Sequence, residues 1–124
     1  MIHNIISIAL FGALGASLRY LIGLLPRFFD LPTGTILVNL IGSLILGILS
    51  GWSWEEMNLS SELKIGLMTG FLGSFTTFST FSVENIQLIQ QGDLQLALFN
   101  IGLQLGLGLG LAFIGIHLGT QFSS

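Results

Sequence analysis

Residues 73–82, which read GSFTTFSTFS, combine hydroxyl side chains with phenylalanines at every third position. They lie in a run without charged side chains, residues 65–83, that is long enough to cross a bilayer. Hydroxyl-rich backbone is tolerated at membrane depth only where it faces protein or lines a wet cavity. This segment therefore indicates a polar site in which ring edges, hydroxyls or backbone carbonyls could bind an ion.

The phenylalanines at positions 75, 78 and 81 share one face of a helix. Rings at this spacing usually pack in a core, but the hydroxyls of Ser79 and Thr80 interrupt these apolar surroundings. An aromatic ring has a positive edge, so the edges of Phe78 and Phe81 could attract a small anion weakly. Weak binding suits a pore, because the ion must also be released.

The third apolar run is predicted to be interrupted near residues 73–76, which Gly73 opens. An interruption frees backbone carbonyls, and carbonyl oxygens at an unwound helix are suited to an alkali cation. On these residues alone, a kink satisfied by its own hydroxyl side chains is the favoured alternative.

Polar side chains recur in two other apolar runs. Asn39 shares a helical face with Thr35 and Ser43, and an amide without a partner in the membrane costs several kcal/mol. We therefore expect Asn39 to bind a neighbouring helix, water or a passing ion. Asn100 and Gln104 form a second polar row at the same spacing of four residues.

Two charged residues have alternative roles. Arg19 lies on the small-residue face of the first run, where it either reaches the membrane interface or faces a vestibule and concentrates anions. Glu84 ends the charge-free part of the third run and is either an interfacial anchor or a gate near a pore mouth.

The composition predicts an integral membrane protein. The chain has 124 residues, of which 52% are hydrophobic and 7% charged, whereas a soluble domain has about 25% charged residues. The apolar runs predict a single all-α domain of four transmembrane helices, at about residues 5–25, 33–51, 62–90 and 94–119. The net charge of −3 argues against nucleic-acid binding, and no nucleotide-binding or metalloprotease motif occurs.

The positive charges of the loops give almost no bias in orientation. Lys64 and the amino terminus fall on one side of the membrane, and Arg27, with Arg19 at the interface, falls on the other. Such a chain could insert in both orientations and form an antiparallel pair. A shortage of charges in a small protein explains the same count equally well.

Three segments resemble the CrcB/Fluc family of fluoride channels. They are residues 15–20 (GASLRY), 34–42 (GTILVNLIG) and 70–81 (GFLGSFTTFSTF), and the likeness covers all four spans. The resemblance implies an antiparallel, dual-topology homodimer with two fluoride pores in the bilayer of the inner (plasma) membrane. It also implies a structural, non-transported Na⁺ held by the carbonyls of Gly73 and Thr76.

The resemblance further assigns Phe78, Phe81 and Asn39 to the pore and Arg19 to a vestibule. In span four, family members often have Tyr and then Ser four residues later, where this chain has Asn100 and Gln104. Their amides still donate hydrogen bonds, so we expect both to belong to the ion pathway.

The sequence thus predicts passive export of cytoplasmic fluoride and no enzymatic activity. The alternative is a small four-span, proton-coupled exporter of drugs or cations, which needs a carboxylate in mid-membrane. No acidic residue precedes Asp30, and Glu84 lies towards the end of its span, which disfavours the exporter. A structural subunit of a larger complex would leave residues 73–82 unexplained.

Overall fold

The computed structural model describes residues 1–122, which form an all-α protein. Its three long helices are α1 (Ile2–Gly23), α2 (Thr33–Gly51) and α6 (Leu94–Phe122). Each of the three is long and apolar enough to cross a membrane, judged by length and composition. No β-strand occurs among residues 1–122.

The third predicted span consists of shorter pieces. Helix α3 (Ser61–Ile65), the π-helix π1 (Gly66–Leu72) and α4 (Gly73–Phe75) follow one another directly. The chain is then extended at Thr76 and Thr77, and α5 (Phe78–Gln90) follows. We call residues 61–75 the first half of span three and α5 its second half.

The interruption predicted near residues 73–76 is present, but Gly73 does not form it. Gly73 has helical dihedrals (φ −63°, ψ −31°), whereas Thr76 (ψ 159°) and Thr77 (ψ 114°) are extended. The extended residues begin at the end of the predicted range because Asn39 binds the backbone of Thr77 and the side chain of Thr77 caps α5. The conformational freedom of glycine is therefore not what bends the chain.

The first half of span three packs closely on α1. A Cβ atom at Gly70 would lie 2.8 Å from the carbonyl oxygen of Ile8, and one at Gly15 would overlap with the carbonyl of Phe71. Small residues allow two helix backbones to approach this closely. The hydroxyl of Ser74 adds a polar contact, since it lies 2.8 Å from the carbonyl oxygen of Gly12.

Helices α2 and α6 approach one another in the same way. Gly47 and Gly51 of α2 face Gly115 and Gly119 of α6, and a Cβ atom at any of the four would meet backbone of the other helix. The glycines at positions 102, 106 and 110 of α6 have nothing within 4 Å of such an atom. The part of α6 around Gly115 and Gly119 therefore packs closely on α2, and the row of glycines that precedes it is open.

The loops fix the ends of these helices. The indole N–H of Trp54 donates to the carbonyl of Leu49 at 2.8 Å, so the loop after α2 folds back on that helix. Ser60 caps α3 by accepting from the N–H of Leu63. Gly92 has φ +88° and allows the tight turn that returns the chain from α5 to α6.

Candidate ion site at the helix break

Asn39 of α2 holds the extended backbone at Thr77. Its Oδ1 accepts from the N–H of Thr77 at 2.8 Å, and its Nδ2 donates to the Thr77 carbonyl at 3.2 Å. One side-chain amide thus satisfies both backbone groups of a residue that has left the helix. Asn39, which was expected to need a partner in the membrane, thus bonds the backbone at the helix break.

The second half of span three begins with a cap. The Oγ1 of Thr77 accepts from the N–H of Thr80 at 3.2 Å, as is typical of an N-cap residue. In a continuous helix, the N–H of Thr77 would bond the carbonyl of Gly73, and that of Thr80 would bond the carbonyl of Thr76. Because both N–H groups are used elsewhere, the carbonyls of Gly73 and Thr76 lose their helical donors.

Arg19 of α1 reaches the C-terminal end of the first half of span three. Its Nε donates to the carbonyl of Ser74 at 2.9 Å, and the residue is half-buried. A cation is favourable at this end of a helix, where carbonyls lack donors. Arg19 also lines a cavity of about 210 Å³ with Thr35, Thr77 and Thr80. Its two predicted roles, at the membrane interface and in a vestibule, both stay predictions.

A second cavity, of about 240 Å³, lies between α2, α5 and α6. Five of the predicted site residues line it together with Thr77, which also lines the first cavity: Asn39, Thr76, Phe78, Phe81 and Gln104. The rings of Phe78 and Phe81 are tilted by 40° with centroids 5.9 Å apart. Phe81 is 8% exposed and Phe78 is 76% exposed, so the Phe78 ring stands largely outside the packed chain.

The remaining predicted residues surround these two cavities. Asn100 is completely buried and contacts Gln104 without lining the cavity itself. Thr80 accepts a hydrogen bond from the Thr77 hydroxyl at 3.0 Å. Ser79 lines a separate groove with Thr80 and Glu84.

Glu84 is bound to α2. Its Oε1 accepts a hydrogen bond from the hydroxyl of Thr35, and the two residues line a third cavity that includes Arg27. The hydrogen bond couples α5 to the first turn of α2. The two roles predicted for Glu84, anchor and gate, both stay predictions.

One buried polar residue, Asn85, was missed by the sequence analysis. It is 4% exposed, donates to the carbonyl of Phe81 at 2.8 Å and accepts from Asn100 at 2.8 Å. A signal was present, because Asn85 and Asn100 lie seven and eight residues from Gly92. The two arms of a helical hairpin bring such positions side by side.

The fold and these cavities define the class: a small multi-pass membrane protein with two cavities that share Thr77 at the break of a helix. The family model described as "CrcB-like protein, Camphor Resistance (CrcB)" matches residues 6–116. The chain belongs to this family, and the resemblance seen in the sequence is confirmed.

Several relatives match over nearly their whole length. The chain is 45% identical to "Fluoride-specific ion channel FluC" of Pyrococcus abyssi, over 89% of this chain and 90% of the relative. It is 42% identical to the protein of the same name in Oceanobacillus iheyensis, over 94% and 91%. A third relative of that name, in Allorhizobium ampelinum, is 40% identical over 94% and 95%.

Proposed function

We propose that this chain forms a passive, fluoride-selective channel that exports fluoride across a microbial plasma membrane. Membership of the CrcB-like family and the names of its relatives support this function. The structural observation that carries it is the cavity in which Asn39 and Gln104 face Phe78 and Phe81.

The lining of this cavity is suited to a small anion. It contains no charged side chain, and its polar groups are amides and hydroxyls beside two aromatic rings. N–H and O–H donors and positive ring edges attract an anion without the strong binding of a fixed charge. The volume of about 240 Å³ also leaves room for several waters, each of which occupies about 30 Å³. Fluoride can therefore keep part of its hydration shell.

Export needs no coupled energy source. The weak acid HF enters a cell and ionises inside, and an inside-negative potential drives the anion out with about 2.3 kcal/mol per charge per 100 mV. The half-buried Arg19 in the neighbouring cavity raises the local anion concentration. The proton-coupled exporter is disfavoured by the family and by the uncharged lining of the cavity.

The functional unit is an antiparallel homodimer with two pores. Support comes from surfaces that one chain leaves open: the Phe78 ring, which is 76% exposed, and the glycine row of α6 at positions 102, 106 and 110. A helix face of small residues allows close packing against another helix in the membrane. The lack of orientation bias among the positive charges is compatible with both insertions.

A structural Na⁺ binds at the dimer centre through the carbonyls of Gly73 and Thr76. The residues fit this ion, because both carbonyls lack the donors of a continuous helix. Two carbonyls from each subunit would offer four neutral oxygens. This set suits a monovalent cation better than Mg²⁺, which prefers carboxylates and retains water. The ion would join the two breaks and would not move.

Efflux from liposomes tests the channel. Purified protein is reconstituted, and efflux of fluoride is compared with efflux of chloride under the same potential, with protein-free liposomes as the control. We expect fast fluoride efflux and little chloride efflux. Equal rates for the two ions, or no flux of either, would reject the channel. Drug or cation transport driven by a pH gradient would favour the exporter.

Two further measurements test the assembly. Tags on both termini should be labelled from both sides of the membrane, and two or three lysines added to one loop should bias insertion and lower flux. Exchange of sodium for a large organic cation should weaken the dimer and reduce fluoride efflux. Labelling from one side only would argue against dual topology, and unchanged dimers and flux after prolonged exchange would argue against structural sodium.

A further inference from the structure

Four side-chain amides form one hydrogen-bonded chain that starts at the break. Asn39 Nδ2 donates to Gln104 Oε1 at 2.8 Å, and Gln104 Nε2 donates to Asn100 Oδ1 at 2.9 Å. Asn100 Nδ2 then donates to Asn85 Oδ1 at 2.8 Å, and Asn85 Nδ2 donates to the carbonyl of Phe81 at 2.8 Å. The chain links α2, α6 and α5 and ends beside a ring that lines the cavity.

The row of amides is bonded at each end to a backbone group that can act only as a donor or only as an acceptor. The N–H of Thr77 can only donate, so it requires Oδ1 of Asn39 to face it and directs the amide nitrogen towards Gln104. The carbonyl of Phe81 can only accept, so it requires the amide nitrogen of Asn85. Both ends impose the same direction on every amide between them.

This direction determines which N–H groups remain for an anion. Each primary amide has two N–H donors. Asn39 uses both, one on the Thr77 carbonyl and one on Gln104. Gln104, Asn100 and Asn85 each use one in the described part of the chain. Of these three residues only Gln104 lines the cavity, so its second N–H is the amide donor that an ion there can reach.

We propose that Gln104 donates to the anion and that Asn85 is a positioning residue that sets the orientation of Gln104 through Asn100. This inference rests on the proposed function. Without Asn85, the buried Asn100 amide loses its acceptor and turns to find another, which removes the oxygen that holds Gln104 Nε2. Gln104 is then held only through its Oε1, which accepts from Asn39 Nδ2, so its amide can swing about this single bond and its second N–H no longer keeps a fixed direction towards the cavity. The hydrogen bonds with Asn39 and Asn100 also polarise the Gln104 amide, which strengthens its second N–H as a donor.

The test is a double-mutant cycle measured by fluoride efflux from liposomes over a range of fluoride concentrations. The variants are Gln104→Leu, Asn85→Leu and the combination of the two. Gln95→Leu is the matched control, because Gln95 is an exposed amide on the same helix. Dimer yield and melting temperature are measured for each. Asn85→Leu/Asn100→Leu, which removes both partners of the buried bond, replaces Asn85→Leu if that variant fails to fold.

We expect Gln104→Leu to reduce efflux about tenfold or more and to raise the half-saturating fluoride concentration, as for loss of a hydrogen bond to a charged group. Asn85→Leu should shift both quantities in the same direction by a smaller factor. Adding Asn85→Leu to Gln104→Leu should then change efflux less than twofold, because the residue acts through Gln104. Gln95→Leu should match the unmodified protein.

Three outcomes would overturn the inference. They are normal efflux in Asn85→Leu, efflux losses that multiply in the combined variant, and a loss in Asn85→Leu that only follows a loss of dimer yield. Each leaves the channel itself intact, because the unmodified protein still conducts fluoride. Failure of the unmodified protein to conduct fluoride would instead reject the proposed function.

Discussion

The two halves of span three are held in place mainly by different contacts. The first half, residues 61–75, packs closely on α1, since a Cβ at Gly15 or Gly70 would meet backbone of the other helix and one at Gly66 would meet the side chains of Ser7 and Phe11. The second half, α5, is held by polar side chains, through the Asn85–Asn100 and Glu84–Thr35 pairs. Asn39 binds the junction between the two halves.

The first half therefore positions the site, and the second half contributes side chains that line the cavity. Close backbone packing fixes the position of the first half, and hence the position of its last carbonyls, which include that of Gly73. The hydrogen bonds of the second half place the Phe81 ring and the Gln104 amide at the cavity. Substitutions in the first half should therefore affect folding, and those around the second half should affect conduction first.

The largest effect is expected for Gly15→Ala. The added methyl group would overlap with the carbonyl of Phe71 and the hydroxyl of Ser74, and backbone cannot move aside as a flexible side chain can. Overpacking of this kind costs about 1–3 kcal/mol or more. We expect little folded protein by size-exclusion chromatography and a lower melting temperature. Gly23→Ala, on the same helix with nothing within 4 Å of the new atom, is the control. Equal yields of the two variants would contradict the comparison.

The junction gives the next largest effect. Asn39→Leu removes the two bonds that hold Thr77 and the bond to Gln104, while it keeps apolar bulk. We expect fluoride efflux to fall about a hundredfold, since both backbone groups of the half-buried Thr77 lose their partner at about 1–3 kcal/mol each. Ser50→Ala, an exposed position on the same helix, should conduct normally. Normal efflux in Asn39→Leu would show that the break persists without the hydrogen bonds from Asn39 to Thr77.

The two phenylalanines should differ in stability and agree in conduction. Ile keeps apolar bulk but lacks the quadrupole of the ring, so Phe78→Ile and Phe81→Ile should each reduce efflux about two- to tenfold if ring edges are worth about 0.5–1.5 kcal/mol. Phe81→Ile should also lower the melting temperature, because Phe81 is buried within the chain. Phe113→Ile, at a ring that is 77% exposed and remote from the cavities, serves as the control. Full efflux in both variants would mean that the rings only pack.

The smallest effect is expected for Ser74→Ala. Its hydroxyl is a polar contact between the first half of span three and α1, and the close backbone packing around it remains. We expect a loss of about 1 kcal/mol in unfolding free energy and efflux within about twofold of normal. Ser82→Ala, whose hydroxyl bonds only the Phe78 carbonyl of its own helix, is the matched control. A loss of efflux without a loss of stability in Ser74→Ala would contradict the expectation that the first half affects folding and not conduction.

The sequence predicted the long helices and the residues that line the cavity more fully than it predicted what forms the break. Hydropathy marked α1, α2 and α6, and spacing placed Asn39, Phe78, Phe81 and Gln104 on faces that the structure brings to one cavity. Its predicted range for the break, residues 73–76, includes the extended Thr76, but it attributed the break to Gly73, which is helical. The actual break depends on Asn39, a residue 38 positions away in the chain from Thr77. The residue pattern within one segment cannot predict a hydrogen-bond partner that lies on another helix.

By itself, the sequence determined the class of protein, since a chain with 7% charged residues and long apolar runs can bury its backbone polar groups only as membrane helices. It also determined the chemical groups available to an ion. Tertiary structure alone decided which of those groups remain free. Among residues 1–122, Asn39 uses both of its N–H donors on other residues, Gln104 uses one of its two, and the carbonyls of Gly73 and Thr76 lack their helical donors. The reason is that a hydrogen bond is shared between two groups, so the capacity of any one of them depends on what the fold places beside it.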